Sequence, residues 1–334
     1  MNPKASRGLN MEIAQYNLKF EEIESLLKEV DEKEVFDQLV NTAGEISDRN
    51  FRRTVHCYFP GGKFPPVSIT GTWCALNCKH CEKHYLKHMI PAPTPSKLLE
   101  ICLKLHEKGA RGVLISGGYA KNGYVPLENF VDVLKQVKRE TNLIINVHTG
   151  LIPLKLAEKL AKAEIDYVSI DIVGDVSTIK EIYQINKTPK DYQKALKNLE
   201  EAGIKRIAPH ICIGLHYGKI KHELNALKII STIKPSTIVL IALKPTPKTP
   251  IQNVQPPTPQ TIAAITAITR ILFPKTPIAL GCMIPGGKQK TKAQILAVKA
   301  GANKLTTPTH QTQKQLTKQK YKLKYHETCC VVQF

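Results

Sequence analysis

The chain has 334 residues, 42% of them hydrophobic, which is enough to bury a core of barrel size, and no apolar run is long enough to cross a bilayer. Its formal charge of +20 is uneven: the first fifty residues hold eleven Asp/Glu against six Lys/Arg, whereas Leu224 to His326 holds sixteen Lys/Arg and no acid. Nine irregularly spaced cysteines without a secretory leader argue against a disulfide framework and for a reducing cytoplasm.

Residues 10–50 carry helical periodicity (Ile13, Tyr16, Leu18, Ile23, Leu26, Leu27, Val30, Val35, Phe36, Leu39) and have no glycine before Gly44, which predicts two or three amphipathic helices packed outside a barrel. A Pro/Gly-rich stretch over 59–66 follows. Strand-like segments then recur at 67–72, 112–116, 143–148, 167–172, 206–213, 237–243, 277–281 and 304–306. Between most of them lie helical patterns at 96–108, 125–140, 153–163, 189–202, 222–233, 259–271 and 290–300. The expected fold is α/β, a (βα)8 TIM-type barrel, full or partial, with six units as the fallback. Its expected parts are an N-terminal helical extension over 1–60, a barrel over 61–307 and a basic tail over 308–334 that carries Cys329-Cys330. The Pro/Thr/Gln-rich stretch 244–258 reads as a long loop over the barrel mouth.

Directly after the first candidate strand stands Cys74-Ala75-Leu76-Asn77-Cys78-Lys79-His80-Cys81. Three thiolates on one loop can hold three corners of a cubane iron–sulfur cluster and leave the fourth iron open. In a barrel, loops at the strands' C-terminal ends are where reactive groups sit. Structural zinc is the competing reading, with His80 and His84 close by, but it usually asks for a second CxxC pair, and none exists in the chain.

The CxxxCxxC run resembles the signature of the radical S-adenosylmethionine (radical SAM) enzymes, with His80 where that family usually has an aromatic residue. The resemblance implies a [4Fe-4S] cluster on Cys74, Cys78 and Cys81, S-adenosylmethionine bound at the open iron, and a 5′-deoxyadenosyl radical. It also implies cofactor contacts from His80, from the backbone at Gly117-Gly118, from Asp171 to the ribose, and from the Gly214 segment near the adenine. Tyr119 stands where an acidic residue is common, and the glutamate usual after the fifth strand is displaced to Glu223. Taken alone, the glycine pair also fits a plain turn, and Asp171 a helix cap.

Cys102, on a leucine face, reads as core, and Cys212 on the fifth strand reads as inert. Biotin synthase has a ligand of its sulfur-donating cluster near Cys212, but its other cysteine positions, on strands two and three, hold no cysteine here. Cys57, Cys282, Cys329 and Cys330 remain. If the terminal segments converge over the rim, these could bind an auxiliary cluster of the kind lipoyl synthase uses; otherwise the tail cysteines are incidental. The cysteine loop, Gly281-Cys282-Met283 and the Cys-Cys tail are similar to the archaeal biotin-synthase-like branch, which includes a two-protein lipoyl synthase.

That resemblance implies sulfur insertion into a protein-bound octanoyl chain, a second radical SAM protein as partner, and an electron donor such as ferredoxin. An octanoylated, acidic carrier domain would dock on the basic C-terminal third at Lys314, Lys318, Lys320 and Lys322. Two alternatives stay open: a radical SAM enzyme with one cluster, and a non-enzymatic iron–sulfur or zinc protein using its basic face. No membrane is implied, and sparse aromatics offer nucleic acid no stacking platform. The alternative reading of the surface lysines is solubility alone.

Overall fold

Within the strands, apolar residues alternate with small or polar ones, as in Val168-Ser169-Ile170-Asp171, so a parallel sheet built from them has two different faces. The computed structural model describes residues 20–29 and 32–334; the expected helical positions Ile13, Tyr16, Leu18 and Val30 lie outside these. Eleven strands form one sheet: β1 (Thr54–Tyr58), β2 (Pro66–Ser68), β3 (Ile90–Pro91), β4 (Gly112–Ser116), β5 (Ile144–His148), β6 (Tyr167–Asp171), β7 (Ile207–Ile213), β8 (Ile238–Ala242), β9 (Ile278–Leu280), β10 (Lys304–Thr306) and β11 (Lys322–His326). Every pairing is parallel, in the order β11-β1-β10-β9-β8-β7-β6-β5-β4-β2-β3. The sheet curls through all eight expected strands in succession and gains β1 and β11 beyond β10 and β3 beyond β2. Its edges, β11 and β3, are not hydrogen-bonded to each other among the described residues, so the barrel is open at one seam.

Ten helices are used below: α1 (Phe20–Lys28), α2 (Lys33–Phe51), α3 (Pro95–Glu107), α4 (Val131–Glu140), α5 (Leu154–Lys162), α6 (Pro189–Glu201), α7 (Glu223–Ile230), α8 (Pro259–Leu272), α9 (Gly287–Lys299) and α10 (His310–Lys318). Threonine followed by proline starts α3, α6 and α8: the hydroxyl is placed to take a first-turn amide, and proline at the first position loses no hydrogen bond. Helix α4 begins later than its periodicity suggests. Val125 precedes Pro126, which disfavours helix, and its amide donates to Thr149 O at 2.9 Å instead. Helix α2 lies against α8 and α9, and a Cβ on Gly44 would stand 2.5 Å from Lys299 O, so the α2 and α9 backbones touch there.

Arg270 is fully buried on α8 and, among the described residues, has no carboxylate partner. Its guanidinium donates to Gly301 O, Phe273 O, Pro274 O, Thr276 O and Asn303 Oδ1 at 2.8–3.2 Å, tying α8 to the strand entrances of β9 and β10. Arg270→Ala leaves these acceptors unpaired beside a cavity and is expected to cost ~3 kcal/mol or more in urea unfolding. Arg270→Lys should recover little, because one ammonium cannot reach the same acceptors.

Residues 327–334 turn back from β11 into the lower end of the barrel. Cys330, Val331 and Val332 pack against Tyr58 and Phe64 and against Tyr167, Ala208, Val239 and Ala279, the inward residues at the entrances of β6 to β9. Buried Lys304 donates to Thr237 Oγ1 (3.1 Å), Cys330 O (3.0 Å) and Val332 O (3.0 Å), and Tyr58 Oη donates to Val332 O at 2.8 Å. Burial pulls the Lys304 ammonium down to about 8. Lys304→Met keeps the stem and removes three hydrogen bonds, so amides of 329–334 should exchange about tenfold faster or more by hydrogen–deuterium exchange while the strands keep their protection.

Candidate active site at the barrel mouth

Strand β2 stops at Ser68, where Ser68 Oγ donates to Gly71 O at 2.6 Å and Gly71 takes φ +59. The cysteine loop that follows is laid on the end of β4. Gly118 N donates to Thr70 Oγ1 (2.7 Å), Ala75 N to Tyr119 O (2.8 Å), and Tyr119 N to Cys74 Sγ (3.2 Å). A Cβ on Gly118 would fall 1.9 Å from Trp73 O and 2.6 Å from Cys74 Cα. The glycine pair therefore lets two backbones meet, and the Gly118 amide is already spent on Thr70 rather than free for a ligand. From the other side, Lys79 N donates to Ile182 O (2.8 Å), Lys79 Nζ to Tyr217 Oη (2.8 Å), and Tyr85 Oη shares a hydrogen bond with Thr246 Oγ1 (2.8 Å). Loops after β4, β6, β7 and β8 thus grip one cysteine loop. The 244–258 segment lies across the mouth as expected, with Gln255 O against Gly218 and Pro257 against Gly214.

Cys78 Sγ, Cys81 Sγ and a ring nitrogen of His80 all lie within 4.8 Å of one another. The hydrogen bond from Cys78 holds the Cys81 thiol down to about 6, while that bond and burial push Cys78 up. His80 packs against Tyr183 at 5.1 Å, and its Nδ1 is buried without a partner. Soft thiolates, one of them already taking an amide N–H, beside an orphaned imidazole nitrogen are a donor set that fits an iron–sulfur cluster.

Below the loop, the inward positions of β5 to β7 bring His148, Asp171, His210 and Cys212 together. His148 Nε2 stands 3.5 Å from Asp171 Oδ2 and has no hydrogen-bond partner. Burial favours neutral Asp171, yet His148, with His210 and His80, outweighs it and holds the carboxyl at about 2. Burial likewise opposes a charge on His148, and Asp171 restores it, raising the imidazole above its ordinary value. His210, pressed by burial and by His148, is pulled down to about 4. Helix capping, the alternative for Asp171, falls instead to Asp175, whose Oδ2 accepts from Thr178 N at 2.7 Å. Gly214 takes φ +72 and donates to buried Glu223 Oε1 at 2.7 Å, so the displaced glutamate braces this turn.

His148, His210 and Tyr183 do not stand out in the sequence, and Tyr119 does so only as a departure from the family pattern. Strand alternation carries the signal for the two histidines, since both share the face of Asp171; Tyr183 ends a π-turn (Ile179–Tyr183) that no periodicity marks.

The other cysteines separate. Cys102 is core. Cys57 is fully buried on the outer face of β1, opposite Tyr58, in the layer shared with the helices. It faces away from the lumen, which removes it from the set expected to bind an auxiliary cluster. Cys282 opens to solvent at the rim, while crowding by surrounding protein and Cys330 push its thiol up to about 11. Cys329 and Cys330 arrive with the tail from below, not over the rim. The hydrogen bond from Cys329 holds Cys330 down to about 7 against burial, helped by Thr306 and Lys304. Cys329 Sγ faces Asn146 Nδ2 at 3.9 Å. Cys282, Cys329 and Cys330 thus share the lumen, though the compact ligand group among the described residues is the Cys78–His80–Cys81 one.

Residues 68–227 match the radical SAM superfamily. Biotin synthase of Acidithiobacillus ferrooxidans is 30% identical over 253 residues, spanning 72% of this chain and 76% of that protein. The chain belongs to the radical SAM superfamily. Biotin synthase of Coxiella burnetii is 25% identical over 247 residues, 71% of this chain and 73% of the relative. The fold is shared with methylornithine synthase (TM-score 0.69, 18% identity, 95% and 97% coverage) and with the hydrogenase maturase HydG (TM-score 0.70, 18% identity, 92% and 68% coverage). The family uses a [4Fe-4S] cluster and S-adenosylmethionine, and the compact ligand group among the described residues is Cys78, His80 and Cys81. Among the described residues no helix is long and apolar enough to cross a membrane.

Gly118→Ala tests the loop's seat. The chain should fold, with an unchanged circular dichroism spectrum, yet hold less than about half the wild-type iron after anaerobic reconstitution, because the added methyl displaces Cys74.

Proposed function

We propose that this protein is one subunit of a two-protein lipoyl synthase, replacing unactivated hydrogens of a protein-bound octanoyl chain with sulfur. The hydrogen leaves on 5′-deoxyadenosine. The observation that carries the reading is the second sulfur set: a vicinal Cys329–Cys330 pair in the lumen, Cys330 buried and Cys329 half-buried, with Cys282 at the rim above it. Relatedness to biotin synthases supports sulfur chemistry, while the inward positions of β4 and β5 (Leu114, Ser116, Ile144, Asn146, His148) hold no cysteine, so the sulfur source differs from theirs.

The [4Fe-4S] cluster, when bound, supplies reductive cleavage of S-adenosylmethionine and hence the radical. The chain's own residues do the rest. Cys74, Cys78 and Cys81 hold that cluster on a loop braced by four neighbouring loops. Asp171, kept ionised by His148, would accept hydrogen bonds from the ribose hydroxyls, and the Gly214 turn would line the adenine side. Cys282, Cys329 and Cys330 would hold an auxiliary cluster, with Asn146 beside Cys329 and Thr306 beside Cys330. The tail closes the lower end against water. A second radical SAM subunit and a ferredoxin-like donor complete the system.

The test is anaerobic reconstitution followed by S-adenosylmethionine, dithionite and an octanoylated carrier. About eight irons per chain, deoxyadenosine lost in Cys78→Ala, and sulfur gained by the carrier are expected. Cys330→Ala should lower iron to about four and abolish sulfur transfer while deoxyadenosine persists. About four irons in the wild type with no sulfur transfer would assign a single-cluster radical SAM reaction instead.

A further inference from the structure

Lysines ring one side of the mouth. Lys219 and Lys221 follow β7, Lys244 and Lys248 follow β8, and Lys288 and Lys292 open α9 after β9; all six are exposed. These strands are neighbours, so the three loops make one continuous arc beside Cys282. Lys221 has Asp175 at 3.9 Å, but between Leu224 and His326 the chain holds no acidic residue to neutralise the arc. Lys290, beside the arc, feels it: burial and Lys244 disfavour its charge, against Cys282, which favours it. The loops after β2 and β6 mix the two signs, with Glu82, Asp175 and Glu181 among Lys79, Lys83, Lys87, Lys180 and Lys187, so the arc after β7, β8 and β9 is the stretch of rim whose own loops carry lysine unmixed with acid.

We propose that this arc is the docking surface for an acidic carrier domain, which presents its acyl chain to the lumen; this rests on the function proposed above. Three observations select that occupant. The lower end of the barrel is closed by the tail, so substrate enters at the mouth. The arc is made of lysine alone: beyond Arg206 the chain has one arginine, Arg270, and it is fully buried. Point charges without bidentate forks suit a field of carboxylates better than ordered phosphates, and the rim offers no row of aromatics for bases. The third observation displaces the surface expected from sequence. Lys318, Lys320 and Lys322 stand where β11 begins beside Thr54, at the strand entrances and away from the mouth.

The experiment measures binding of a fluorescently labelled acidic lipoyl-type carrier domain, octanoylated and unmodified, by anisotropy across a salt series. Wild-type binding should weaken steeply with salt. The variant K244E/K248E/K288E should bind at least about tenfold more weakly with a flattened salt dependence, and K314E/K318E/K322E should stay within about twofold. Both variants should retain carrier-independent deoxyadenosine formation, which shows that they are folded and loaded. Equal binding by the arc variant, equal loss in the α10–β11 variant, or preference of the wild type for a single-stranded oligonucleotide would overturn the proposal. Carrier that docks through the arc but never gains sulfur sinks the lipoyl reading and leaves the docking surface standing. Sulfur transfer that proceeds equally in the arc variant does the reverse.

Discussion

A parallel sheet clothed with helices on its outer face still has to fill its inner one, and here the strands do not fill it themselves. Their outward residues are mainly Val, Ile and Leu, which pack under the helices, but many of their inward residues are small or polar: Ala208 and Ala279 near the entrances, Asn146 and Ser169 at mid-height, His148, Asp171 and Cys212 near the mouth. Much of what is distinctive in the molecule follows from that deficit. The lower end is filled by the chain's own last residues, whose valines supply the missing apolar volume. Lys304 holds them there by their carbonyls. The upper end is left to polar groups that are only partly satisfied, which is the condition of a site prepared for a ligand.

The cysteine loop solves a second problem. Three thiols on an irregular segment are useless for chemistry unless the segment is rigid, and this loop has no secondary structure of its own to make it so. Its rigidity comes from outside, through backbone contact with Gly118, the Tyr119 hydrogen bonds, and the lysine and tyrosine links to the loops after β7 and β8. Elements that brace the cysteines are also those that would surround a bound cofactor, so site and support are one construction. Gly118 illustrates how a motif can be located correctly and explained differently: its bare Cα serves the approach of another backbone and leaves its amide no ligand to meet.

Much of this was legible beforehand. Eight strands, seven helices and the CxxxCxxC loop follow from periodicity, threonine–proline starts and thiol chemistry, all of which act over a few residues. Asp171 stood out because a carboxylate in an apolar strand is costly, whereas His148 and His210 did not, since a lone histidine in a strand carries no such penalty. Strands β1 and β11 escaped notice for a different reason. Thr54–Tyr58 and Lys322–His326 are short and unpatterned, and they become strands by pairing with β10 and with each other.

By itself the sequence determined the alternating units, the cysteine spacing and the charge bias, because each is a property of neighbouring residues. Tertiary structure alone decided which cysteines share a space. Cys57 and Tyr58 are adjacent in sequence and face opposite sides of the sheet, while Cys330 reaches the lumen near Cys282 across 48 positions (330 − 282). It decided equally which of the many lysines surround the mouth and which lie at the strand entrances. Such facts depend on how a curled sheet returns distant segments to one another, and no short-range pattern encodes that closure.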